Sequence, residues 1–157
     1  MTTSTLFKPS AELQKNPLIA FGRGICAYSE VKPSDIGPAI DFLLQQAEQA
    51  VAHAISPSTS ANWNDLLEPL EDATESLSRS WGVVSHLNSV ADTPELRAAY
   101  GEMMPKVTAF FSSLGQNLAL YQKFKELSQS ADYATLSAAQ KKDRKSTRLN
   151  SSHANVS

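Results

Sequence analysis

A single cysteine in 157 residues leaves Cys26 with no internal disulfide partner, so a cross-linked scaffold is ruled out. Cys26 sits in a mildly apolar run, residues 25–28, and reads as a small buried or half-buried hydrophobe rather than a catalytic thiol. Long apolar runs are missing too: none approaches the roughly 20 residues that span a bilayer. The first twenty residues lack the cationic start, apolar stretch and small-residue cleavage site of a secretory signal. No membrane partner is expected, and the expected compartment is the cytoplasm. A formal net charge of −2 offers no basic patch, which argues against a nucleic-acid partner. No segment sustains a period-two alternation rich in β-branched residues, so a sheet has no candidate strands.

Recognisable catalytic motifs are equally scarce. Gly22-Arg23-Gly24 is too short to cradle a phosphate and reads as a turn, and no Gly-x-Ser-x-Gly elbow supports a serine hydrolase. A zinc peptidase of the His-Glu-x-x-His kind needs two histidines four residues apart on one helical face, with a glutamate between them to activate a metal-bound water. No His-Glu-x-x-His occurs, and His53, His86 and His153 are far apart in sequence. The chain is therefore expected to hold no catalytic, cofactor-binding or metal-ligating residue of its own. Glu68, Glu71, Asp72 and Glu75 read as a solvated outer face near a helix start. The aromatic and methionine positions Met103, Met104, Phe110, Phe111, Tyr121 and Phe124 have the spacing of a core stripe rather than of a ligand pocket.

What is abundant is helical periodicity. Hydrophobic residues make up 41% and charged residues 19%, and the length suits one domain. Residues 1–32 carry Pro9, Pro17, Gly22 and Gly24 without a sustained period and read as an irregular leader across the surface, with little regular structure. From Ile36, the positions Ile40, Leu43, Leu44, Ala47, Val51, Ala54 and Ile55 lay one apolar stripe on a helix over residues 34–55. Pro33 and Pro38 fall near its first turn, and Ser56-Pro57 ends it.

Asn62 can cap a second helix over residues 63–81, which Pro69 should bend and Gly82 should loosen. Thr93-Pro94-Glu95 is the strongest helix start in the chain. Behind it the apolar residues from Leu96 to Leu127 predict one long helix or two in series, with a kink at Pro105 and a possible join at Gly115. The fold class is all-α, with residues 33–142 as a helical domain.

After Lys142 the apolar period stops. Asp143-Arg144-Lys145-Ser146-Thr147-Arg148-Leu149-Asn150-Ser151-Ser152-His153 resembles one translated frame of a common sequencing-library adapter. Residues 143–157 are accordingly read as a non-native tail and excluded from the fold. Without them eleven basic and fifteen acidic residues remain, a net charge of −4.

Val84-Ser85-His86-Leu87-Asn88-Ser89-Val90, followed by Thr93-Pro94-Glu95-Leu96-Arg97 and Tyr100, resembles the oligopeptidase A branch of the thimet oligopeptidase (M3) metallopeptidases. Asn16-Pro17-Leu18, Val31-Lys32-Pro33, Pro38-Ala39-Ile40 and Trp63-x-x-Leu66-x-x-Pro69-Leu70-Glu71 fall in the same order, and Tyr133-Ala134-Thr135-Leu136 continues the likeness. It covers residues 16–142 and departs at residues 22–30. The resemblance implies a mostly helical enzyme whose two halves face across a deep channel, with zinc as the cofactor in the later half and short peptides as substrates. This chain would be the N-terminal, channel-wall part, incomplete without its C-terminal catalytic domain and not competent alone. The periodicities by themselves say only that about four amphipathic helices pack as a layer, which a free-standing helical binding module without catalysis would also satisfy.

Overall fold

The computed structural model describes residues 8–138, and the regular structure there is entirely helical. Two short helices open the chain, α1 (Ala11–Gln14) and α2 (Pro17–Ala20), followed by a 3-10 turn at Tyr28–Glu30. Then come α3 (Pro33–Ile55), a π-helical turn (Trp63–Leu67) running directly into α4 (Glu68–Val90), α5 (Pro94–Gly115), α6 (Leu118–Gln129) and α7 (Ala131–Thr135). The all-α class stands. The suggested tail at residues 143–157 lies outside the described residues.

The leader is more ordered than its composition suggests. The Ser10 hydroxyl accepts a hydrogen bond from the Leu13 N–H (3.2 Å), and the Asn16 side-chain oxygen accepts one from the Leu18 N–H (3.0 Å), so each short helix starts on a side-chain cap. Asn16 also donates to the Asp35 carbonyl (2.9 Å), and the buried Ser80 hydroxyl donates to the Leu18 carbonyl (2.7 Å). Leu18, 1% exposed, is thereby pinned against α3 and α4. Helices of four residues escape a search for periodicity because they are shorter than two turns.

α3 begins one residue before the expected start and ends at the expected residue. The Asp35 carboxylate accepts from the Lys32 N–H (2.8 Å), and Pro33 occupies the first turn, where a missing N–H leaves no bond unmade. The second helix departs from expectation. The five residues from Trp63 form the π turn, capped by Asn62, whose side-chain oxygen accepts from Asp65 N–H (2.8 Å). That places consecutive Leu66 and Leu67 both inside and puts Pro69 in the first turn of α4 rather than in its interior. The helix then runs through Gly82 to Val90 instead of stopping near 81. Val83 and Val84 are buried and Leu87 packs against the core beyond the glycine, and this burial outweighs the roughly 1 kcal/mol that a helical glycine costs.

The long third pattern is two helices. α5 starts on Thr93, whose hydroxyl accepts from Leu96 N–H (3.2 Å), continues across the exposed Pro105, and ends at Gly115. Asn117 then caps α6 by accepting from Leu120 N–H (2.9 Å). The expected core stripe is only partly buried, because neighbouring positions such as 103/104 and 120/121 lie about 100° apart on their helix and only one of each pair faces the core. Met103, Phe110 and Phe124 are inside, whereas Met104 (42% exposed), Tyr121 (43%) and Leu118 (74%) face outward.

α3 is the spine, in contact with α2, α4, α5 and α6. Along its first half, Ile36, Ile40 and Leu43 join Leu77 and Val84 of α4 and Met103 and Val107 of α5 in one apolar cluster. At its C-terminal end, Ala50 and Ala54 meet Leu66, Leu70 and the α6 residues Leu120, Phe124 and Leu127 in a second. Val51 and Leu114 touch both clusters.

This placement of α6 yields a contrast. Leu127→Ala, at a fully buried site, should lower unfolding free energy by about 2–5 kcal/mol, while Leu118→Ala should change it by less than about 0.5 kcal/mol. Equal losses in urea denaturation would contradict the face assigned to α6.

Candidate functional site

The residues singled out by sequence do not converge. His53 lies exposed in the last turn of α3, its Nε2 3.2 Å from the Asp65 carbonyl oxygen. His86 lies exposed on α4, where its ring meets the Tyr28 ring edge to face at 5.3 Å. His153 is outside the described residues. No three His, Cys, Asp or Glu side chains among the described residues are grouped to hold a metal ion. Of the acidic set, Glu68 and Glu75 are exposed and Glu71 and Asp72 half-buried. Asp72 is paired with Arg23 of the leader, an exposed ion pair that contributes little to stability.

Cys26, within the leader, is 6% exposed, with its thiol 3.8 Å from the Pro17 carbonyl as a weak donor. Burial pushes its pKa up, and the Glu30 carboxylate adds to the shift by repelling a thiolate. A neutral, covered thiol is a poor nucleophile.

One concave feature combines apolar and charged surface. A groove of about 640 Å³ runs between α3 and α5 and ends at the start of α6. Leu44, Val51, Phe110 and Leu114 supply its apolar lining. Asp41, Gln45 and Glu48, at one-turn spacings on α3, form one rim, and Lys106, Ser113 and Asn117 border the other side. The Lys106 ammonium reaches the Asp41 carboxylate at 3.0 Å. A lining of this kind can seat an apolar group flanked by polar contacts. The 41/45/48 spacing was visible in the sequence; its apposition to α5 was not, because only the tertiary packing brings residues 106–117 alongside.

Comparison with known proteins gives a consistent picture. A model of the neurolysin/thimet oligopeptidase N-terminal domain matches residues 40–151. Oligopeptidase A of Salmonella typhimurium is 35% identical over 127 residues, covering 81% of this chain and 18% of that protein. Oligopeptidase A of Escherichia coli is 34% identical over 115 residues, 73% of this chain and 17% of the relative. A probable cytosolic oligopeptidase A of Arabidopsis thaliana is 38% identical over 133 residues, 83% of this chain and 18% of the relative. The chain thus spans less than a fifth of the length of the relatives it matches.

The covered thiol has a measurable consequence. Iodoacetamide should alkylate folded Cys26 at least about tenfold more slowly than the same chain in urea. Because the folded state holds the thiol proton more tightly, stability should also fall as pH rises past the ordinary thiol value of 9.0, a slope that Cys26→Ala removes. Equal alkylation rates in folded and unfolded chain would contradict the burial.

Proposed function

The chain belongs to the neurolysin/thimet oligopeptidase N-terminal domain family, and on that footing we propose that it is the N-terminal, channel-wall part of a cytoplasmic zinc metalloendopeptidase acting on short oligopeptides. The observation that carries this reading is the family match over residues 40–151, joined to 34–38% identity with proteins named oligopeptidase A. A zinc peptidase of the His-Glu-x-x-His kind needs that arrangement, which this sequence does not contain, and in this reading the paired histidines and the glutamate base come from another part of the polypeptide. Zinc is then the cofactor of the whole enzyme, with no ligand in this chain.

The part played by these helices is steric. A rigid helical layer overhanging a peptidase site admits short unfolded peptides and turns away folded proteins, and it needs no catalytic group of its own. The outward-facing Met104, Leu118 and Tyr121 on α5 and α6 support a neighbour there, since side chains of this size gain about 1.5–3 kcal/mol each on full burial. The cytoplasmic assignment is supported by the cytosolic name of one relative. No helix among the described residues is long and apolar enough to cross a membrane.

Residues 143–157 belong to the same reading as a non-native segment, although the family match runs to residue 151 and so overlaps part of it. Resequencing the source DNA beyond the Lys142 codon tests both points. The expected result is a reading frame that continues into further helix and, later, a His-Glu-x-x-His motif. A stop codon close to that position would overturn the peptidase reading in favour of a free-standing helical binding module.

A further inference from the structure

The groove between α3 and α5 is the feature the steric role leaves unused, and its chemistry selects an occupant. Its floor is apolar, with Leu44 and Phe110 each 7% exposed and Val51 and Leu114 half-buried. The groove, about 640 Å³, is open to solvent along its length. The charge around it is asymmetric. Lys106 neutralises Asp41, which leaves the exposed Glu48 as a rim carboxylate with no ion-pair partner among the described residues.

The body that carries the groove is more acidic than the whole chain. Residues 8–138 hold nine lysines and arginines against fifteen aspartates and glutamates, a net charge of −6, so a cationic ligand is drawn to this body from solution and an anionic one repelled. The polar groups bordering the other side of the groove, Ser113 and Asn117, leave the floor accessible because neither is bulky.

We propose that the α3/α5 groove is a docking subsite for short cationic peptides, seating an apolar side chain against Phe110 and Leu114 while a neighbouring lysine or arginine of the peptide pairs with Glu48. The apolar contact supplies affinity, and the carboxylate sets the preference for a positive neighbour. In the peptidase reading, on which its role as a substrate subsite rests, the groove would hold a peptide segment away from the reacting bond. Binding to this chain is a property of the groove alone.

Fluorescence anisotropy of the purified chain with a labelled peptide of alternating leucine and lysine tests it, beside a control peptide of leucine and glutamate. The lysine peptide should bind, more weakly as salt is raised, and the glutamate peptide should not. Glu48→Lys should weaken binding roughly tenfold. Ala109→Phe, which fills the groove from an exposed position, should abolish it, with both variants keeping the parent's thermal melt. No binding, equal binding of the two peptides, or binding untouched by either variant would overturn the proposal. So would a dimer, seen by size-exclusion chromatography, that Ala109→Phe dissociates, because the groove would then belong to a second copy. None of these outcomes alters the family reading, whose failure shows separately in the downstream DNA.

Discussion

Close approach of helices to the alanine-bearing face of α3 is the constraint on which the other packing depends. Ala39, Ala47, Ala50 and Ala54 are each 0–1% exposed and fall on one stripe of the helix. Alanine loses no side-chain entropy on burial, favours the helix, and lets a neighbouring backbone come nearer than leucine would. Larger side chains share the stripe at the N-terminal end, where Ile36 and Ile40 fill the space toward α4 and α5. At the other end, Ala50 and Ala54 leave room for Phe124 and Leu127 from α6. One helix thus serves two cores, and damage at its middle reaches both.

Polar contacts fix the ends of this arrangement. At one end Asn16 and Ser80 hold the leader. At the other, buried Thr59 donates from its hydroxyl to the His53 carbonyl (2.5 Å), and its own carbonyl accepts from the Lys123 ammonium of α6 (2.6 Å). The Trp63 N–H donates to the Asp132 carboxylate (3.1 Å), which links the π turn to α7. The Lys123 and Trp63 bonds join segments more than sixty residues apart, and a buried polar group without a partner would destabilise the fold. Among the described residues Asn88 is the exception, its side-chain oxygen buried without a hydrogen-bond partner.

Local chemistry made much of this legible. Pro33 and Ser56-Pro57 bracket α3 within one residue of its observed ends, and Thr93-Pro94 marks the start of α5. The misreadings share a cause, which is burial that no local signal reports. Gly82 looked like an end, yet the valines after it are core; Pro69 looked interior, but the π turn before it resets the helix start. Tyr121 and Met104 carry the right residue type for a core and lie outside it because their chain neighbours Leu120 and Met103 take the inward position on the same helices. The groove was not read from the sequence, although Asp41, Gln45 and Glu48 stand there at helical spacing. Its other wall required the packing of α5 on α3. What the family resemblance contributed, a peptidase context, no periodicity could have supplied.

The functional reading needs a wall stiff enough to exclude folded protein, and stiffness here rests on α3 joining its two clusters. The direct measurement is the urea unfolding of Ala47→Leu against Ala52→Leu, the first at a site with 0% exposure and the second on the exposed face of the same helix. Overpacking at Ala47 should cost about 1–3 kcal/mol or more and lower the α4, α5 and α6 signals together, while Ala52→Leu should stay within about 0.5 kcal/mol of the parent. If Ala47→Leu were as stable as Ala52→Leu, or if α6 stayed folded while α4 and α5 melted, α3 would not be the shared spine.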